Sequence, residues 1–247
     1  MSAPALIALA RGSRDKRATA TVTDLVAEIR AQRPGLTVEA AFVDQAKPAV
    51  DAVIDRLVAR GHDEIVVVPL VLTDTFLNTT DLPTALAAAA ERHPRVKFQA
   101  TPVLGLEQSF LQVVDERMRQ ALRQAHAREL DALVLASVGS TDPLVNQSIA
   151  RLARLWGAHH RLPVVAAYAA ATPPATGDAV RALRAEGRRH VAVGSFFLSP
   201  SPLTDGATEL ALEAGAIAVA APLGAHAEVA RTVLARYAVG AVELVPV

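Results

Sequence analysis

The sequence contains no cysteine. Disulfides, thiolate metal sites and cysteine nucleophiles are therefore excluded. It has no charge of one sign to spare: 25 Lys and Arg balance 25 Asp and Glu. The basic residues are interleaved with acids, so the clustered cations that a nucleic-acid groove needs against phosphates are missing, and no nucleic-acid partner is expected. No apolar run reaches the roughly 18 residues that would cross a bilayer. The N-terminus, Met1-Ser2-Ala3-Pro4, lacks a basic leader followed by a long apolar segment, so a signal peptide is not expected and the protein is read as cytoplasmic, without a membrane partner. Neither the glycine spacing of a dinucleotide fingerprint nor that of a P-loop occurs, which argues against NAD and ATP; no cofactor is expected. What is present is globular: 51% hydrophobic and 20% charged residues over 247 positions, enough for one large domain or two of about 120.

Short apolar runs alternate with longer amphipathic stretches. The continuous run over 5–10 reads as a strand buried on both faces. Arg11-Gly12-Ser13-Arg14-Asp15 interrupts it, and Val22, Leu25, Val26 and Ile29 follow at helical spacing until Arg33-Pro34-Gly35. Further strands are predicted over 38–42, 65–72 and 96–100. Helices are predicted from Pro48 to Arg60, from Pro83 as first residue, and over 107–128. The same alternation then repeats, with strands over 132–136, 164–168, 191–197 and 216–220. The order implies parallel sheets with helices on both faces.

Landmarks match between the halves. Gly12-Ser13 and Gly139-Ser140 each follow a first strand. Ile65-Val66-Val67 and Val191-Ala192-Val193 each open the strand before a long loop. Leu104-Gly105 and Leu223-Gly224 each precede a last helix. An internal duplication is therefore predicted. The expected architecture is two tandem lobes, 1–128 and 131–247, each a parallel four-stranded sheet flanked by helices, facing a shared cleft. Such a duplication would take the place of a dimer of single lobes, so a monomer is expected.

Ligands of open parallel sheets bind beyond the carboxyl ends of the strands. Gly12 and Ser13 there offer backbone N–H groups and a hydroxyl that suit an anion, or else form only a tight turn with a capping side chain. Ser140 is the matching residue of the second half. Arg11, at the end of a buried strand, fits a carboxylate, or else pairs structurally with Asp15 or Asp44. The loop Thr73-Asp74-Thr75-Phe76-Leu77-Asn78-Thr79-Thr80-Asp81 is long and polar around an apolar pair that could cover a flat ligand or anchor the loop. Asp81 reads as a helix cap, and Asp74 as the candidate acid or base. Six of the seven histidines (His62, His93, His126, His159, His160 and His190) fall toward the other end of the sheets. Only His226 is expected at the binding end, so a two-histidine metal site is not expected.

The segment Leu6-Ile7-Ala8-Leu9-Ala10-Arg11-Gly12-Ser13-Arg14-Asp15 resembles the opening of the CbiX/SirB-type class II chelatases, which insert cobalt or iron into sirohydrochlorin. Ala41-Phe42-Val43-Asp44 resembles their second strand, and Thr80-Asp81-Leu82-Pro83 the end of their third loop. Gly139-Ser140-Thr141-Asp142-Pro143, 179–187 and Leu223-Gly224 are similar to the two-lobed actinobacterial members. The resemblance implies that the family's metal-binding histidines fall at Arg11 and Leu77. Neither residue ligates iron or cobalt, and a cation beside the metal position opposes its binding.

From this resemblance the protein is read as a diverged chelatase-like enzyme, turned to a carboxylated small molecule in the inter-lobe cleft. Arg11, Asp74 and Asp44 would do the chemistry. Gly12, Ser13, Thr75, Phe76, Leu77, Asn78, Thr79, Ser140 and His226 would bind the ligand, and no residue would hold a metal. Two alternatives stand beside it. One is a sirohydrochlorin cobalto- or ferrochelatase working with carboxylates, the other a non-catalytic tetrapyrrole or metallophore binder.

Overall fold

A computed structural model describes residues 3–73 and 81–244. The elements run β1 (Ala5–Ala10), α1 (Lys16–Gln32), β2 (Val38–Phe42), α2 (Val50–Ala59), β3 (Glu64–Pro69), α3 (Asp81–Arg92), β4 (Lys97–Ala100), α4 (Phe110–Gln124), β5 (Ala132–Ser137), α5 (Pro143–His160), β6 (Val164–Tyr168), α6 (Thr176–Ala185), β7 (Val191–Ser195), α7 (Pro202–Glu213), β8 (Ala218–Val219) and α8 (Ala227–Glu243). The strands form two parallel four-stranded sheets, ordered β2-β1-β3-β4 and β6-β5-β7-β8. This is the α/β class the alternation predicts. Pro83 stands third in α3 rather than first, still within the turn where no N–H is needed.

Every residue of β1 and of β5 is buried, because helices cover both sheet faces. On one face of the first sheet, Ile7, Leu9 and Val67 pack with Val53, Ile54 and Leu57 of α2 and Ala89 of α3. The matching cluster of the second sheet joins Val134 and Val193 to Val180 and Leu183 of α6 and Ala207 and Ala211 of α7.

The compact units do not follow the tandem boundary expected at 128–131. One unit is Met1–Gly105 with Ala225–Val247, and the other is Leu106–Gly224. The last helix of each repeat is exchanged: α8 packs on β3 and β4, and α4 on β7 and β8. Steric fit accounts for the pairing. Gly194 of β7 leaves space that a Cβ would fill, 2.5 Å from Trp156 and 2.7 Å from Val114 of α4. In the other unit the small residue is on the helix. A Cβ at Gly240 of α8 would lie 2.8 Å from Thr101 and 2.9 Å from Val66. At the position equivalent to Gly240, α4 carries Ala121, and at the position equivalent to Gly194 the first sheet carries Val68. Helix α4, with Ala121, would therefore be crowded against the first sheet where α8 presents Gly240. Equivalent arginines lock the two helices in the same way. Arg117 donates to the Leu223 carbonyl at 3.1 Å, and Arg236 donates to the Val103 and Leu104 carbonyls at 3.1 and 3.0 Å. Among the described residues no helix is long and apolar enough to cross a membrane.

Candidate functional site

At the carboxyl edge of β1 and β2 the chain keeps pairing past the strands. Val43 N–H donates to the Ala10 carbonyl at 3.1 Å, and Asp44 N–H to the Arg11 carbonyl at 2.9 Å. This brings Arg11 and Asp44, both exposed, to one edge of the sheet. Gly12 makes the approach possible. Its φ is +98°, and a Cβ there would lie 1.8 Å from the Asp44 carbonyl oxygen, so no other residue fits.

Ser13 serves the turn: its Oγ accepts the Asp15 N–H at 3.0 Å. Asp15 caps α1, accepting the Arg17 N–H at 2.9 Å and the Arg17 guanidinium at 2.6 Å. These side-chain and backbone bonds from Arg17 hold its carboxyl below the usual range. Asp15 is thus paired with Arg17.

The second unit repeats this backbone without its charges. Ala169 N–H donates to Ser137 and Ala170 N–H to Val138, at 2.9 and 3.0 Å. Gly139, at φ +83°, would place a Cβ 2.5 Å from the Ala170 carbonyl. Val138 and Ala170 thus stand where the first unit has Arg11 and Asp44. Ser140 is buried and fully engaged. Its N–H donates to the Asn146 carboxamide at 2.9 Å, its carbonyl accepts from the same group at 2.6 Å, and its Oγ accepts the Asp142 N–H at 3.0 Å. These bonds make Ser140 part of the turn itself.

His226 is not brought to Arg11 and Asp44 within its unit. It is the N-cap of α8, its Nδ1 accepting the Glu228 N–H at 3.1 Å. Its neighbour Ala227 accepts from Gln32 at 2.9 Å, at the far end of α1. A 17-residue helix puts that end about 25 Å from Arg11. The sequence places His226 after a loop at the top of the second sheet, but the helix exchange carries it to the amino-terminal edge of the first. Asp74, Thr75, Phe76, Leu77, Asn78 and Thr79 lie outside the described residues.

A cluster that sequence reasoning missed lies in the second unit. Ligand atoms of Asp115, His159 and His160 all fall within 4.8 Å of one another. Asp115 is 8% exposed. Its Oδ1 accepts the Trp156 indole N–H at 2.6 Å and faces His160 Nε2 at 2.7 Å. The expectation that no two-histidine grouping is available is thereby overturned. The histidines do lie away from the carboxyl ends of the strands, but α4, arriving by the helix exchange, supplies the acid. The His159-His160 pair closing a predicted helix was the available signal.

Three comparisons bear on this geometry. The CbiX family model matches residues 5–121 and again 132–239. The sirohydrochlorin cobaltochelatase of Priestia megaterium is 25% identical over 165 residues, 66% of this chain and 54% of that protein. The sirohydrochlorin ferrochelatase of Bacillus subtilis is 26% identical over 152 residues, 61% of this chain and 57% of that protein. The chain thus spans about half the length of these relatives. The solved structure of SirB from Bacillus subtilis with Fe3+ superposes with a TM-score of 0.80 at 21% identity, covering 97% of this chain and 96% of that one, and this shows a shared fold. Matched in both of its repeats, the chain belongs to the CbiX family.

Proposed function

We propose that this protein binds a polycarboxylated tetrapyrrole of the sirohydrochlorin class and inserts a divalent metal into it at the carboxyl edge of the first unit's sheet. One observation carries the placement. Both units build the same Gly-Ser turn, but only the first carries Arg11 and Asp44 on it, where the second has Val138 and Ala170. The names of the matched relatives favour this over a different reaction on an unrelated carboxylate.

Metal insertion exchanges both pyrrole N–H protons for the ion, so the site must hold the ring's acid groups and accept protons. Arg11 suits a ring carboxylate. Asp44 suits the proton acceptor, with Asp74 as the second. Thr75, Phe76, Leu77, Asn78 and Thr79 would cover the ring. In this reading Arg11 and Leu77 replace the family's imidazoles, and the macrocycle's own nitrogens do the coordinating. The cation does not forbid this. At about 6 Å and water's dielectric, Arg11 would repel a dication by ~1.4 kcal/mol, which a carboxylate at equal distance offsets.

The test is an anaerobic absorbance titration with sirohydrochlorin, followed by cobalt(II) or iron(II). A shifted ring band and metalation faster than without protein, lost in Asp44→Ala, is the expected result. A shift without acceleration would instead support a non-catalytic ring binder, a reading favoured by a guanidinium at the place of a metal ligand. No shift would sink both.

A further inference from the structure

The second unit carries a buried carboxylate and an indole N–H where the first has leucine and isoleucine. Asp115 of α4 is equivalent to Leu234 of α8, and Trp156 of α5 is equivalent to Ile29 of α1. His159 and His160 stand where α1 ends in Gln32 and Arg33. The apolar pair Leu234 and Ile29 has thus been replaced by a carboxylate and an indole N–H, with an imidazole in the place of Arg33. Burying a carboxylate at 8% exposure is costly and offers no packing advantage over leucine. The replacement therefore asks for a function, and the chemistry of the donors indicates one.

We propose that Asp115, His159 and His160 form a binding site for a divalent first-row transition ion, separate from the carboxyl-edge loops. Two imidazole nitrogens and one carboxylate oxygen are the donor set of zinc, cobalt, nickel and iron, whereas magnesium and calcium demand oxygen. Donor atoms within 4.8 Å of one another close to the roughly 3.0–3.5 Å spacing of a tetrahedral site by small side-chain rotations. On binding, the ion replaces the hydrogen bond now made between His160 Nε2 and Asp115 Oδ1. The Trp156 N–H keeps hold of Oδ1 and presents Oδ2, the arrangement by which an outer partner orients a metal-binding carboxylate. Both histidines end α5, where the negative pole of the helix favours a cation. His159 is exposed and opens the cluster to solvent. Three protein ligands leave a fourth position open to water or another ligand.

Trp156 is the chain's single tryptophan and touches the cluster, so its emission reads the site directly. The full-length protein, stripped with chelator, would be titrated with cobalt(II) and then challenged with zinc(II). Saturable quenching at one equivalent, reversed by zinc, is expected. His159→Ala and the double variant His159→Ala/His160→Gln should weaken the midpoint at least tenfold while circular dichroism stays unchanged. Arg11→Ala and Asp44→Ala should leave it unmoved, which separates this site from the proposed insertion site. Absent or non-saturable quenching, or the same midpoint in folded His159→Ala/His160→Gln, would overturn the proposal.

Discussion

The turn after β1 and the turn after β5 share one backbone and differ in what it carries. In both, a left-handed glycine lets the next crossover approach, a serine Oγ takes an amide two residues on, and an aspartate caps the helix. In the second unit Asn146 clamps the serine's backbone on both sides; the first has Thr19 at that position. The second turn is thus closed and apolar, with Val138 and Ala170 beside it. The first is polar, with Arg11 and Asp44. The glycine-serine pattern therefore belongs to the architecture, and it is to the charges beside it that the proposed function assigns the chemistry. In the second unit the polar investment lies instead at the end of α5, around Asp115.

The largest effect tests the shared backbone. Gly12→Ala meets both a positive φ and the Asp44 carbonyl at 1.8 Å, and is expected to cost about 2–4 kcal/mol in denaturant unfolding. Gly139→Ala, facing a 2.5 Å contact, should cost somewhat less. Gly35→Ala, at φ +90° with nothing within 4 Å, should cost only about 1 kcal/mol. Equal losses at all three positions would mean that backbone strain, not close approach, sets the glycine.

Asn146→Ala removes the clamp that distinguishes the turns. It leaves the amide and carbonyl of buried Ser140 unpaired, so a loss of about 1–3 kcal/mol is expected. Thr19→Ala at the equivalent place should stay within about 0.5 kcal/mol, and comparable losses would show the clamp to be unimportant.

A smaller contrast is electrostatic. Burial by itself raises the Asp131 carboxyl, but the N–H groups of Arg189 and His190, with the charges of His190 and Arg188, outweigh it and hold the group below its ordinary value. A carboxyl lowered in the native state stabilises above its unfolded value of about 3.9, and this stabilisation is lost as pH falls through the lower native value. Asp131→Asn should flatten that acid limb of the stability curve, measured between pH 5 and 2 as an order-of-magnitude window around these values. The equivalent residue in the first unit is Pro4, which contributes nothing there.

The smallest stability effect is expected at the two charges of the proposed site. Arg11→Ala and Asp44→Ala, both at exposed positions, should change unfolding by less than about 0.5 kcal/mol. Arg11→Ala should nonetheless weaken sirohydrochlorin binding by roughly tenfold, the worth of a charge-assisted hydrogen bond near the surface. A large loss of stability in either variant would return Arg11 and Asp44 to the architecture and erase the contrast between the turns.

The sequence by itself determined the element order, the parallel sheets and the duplication. Apolar runs such as Ala5–Ala10 and turns such as Gly12-Ser13 are local signals, and each is written twice. Arg11 and Asp44 were legible for the same reason, since a charge that ends a buried strand must emerge at the carboxyl edge. The tertiary structure alone decided which helix covers which sheet. The buried positions of α4, among them Phe110, Leu111, Val114 and Met118, fall at the same spacing as Val229, Ala230, Val233 and Tyr237 of α8, so periodicity cannot choose between the two sheets. One contribution to the choice is the Cβ clearance at Gly240, where α4 carries Ala121, and it exists only once the partners are packed. That exchange moved His226 away from Arg11 and brought Asp115 to His160. The cluster was illegible in the sequence because its members come from helices 45 residues apart, whose contact is fixed by packing and not by spacing.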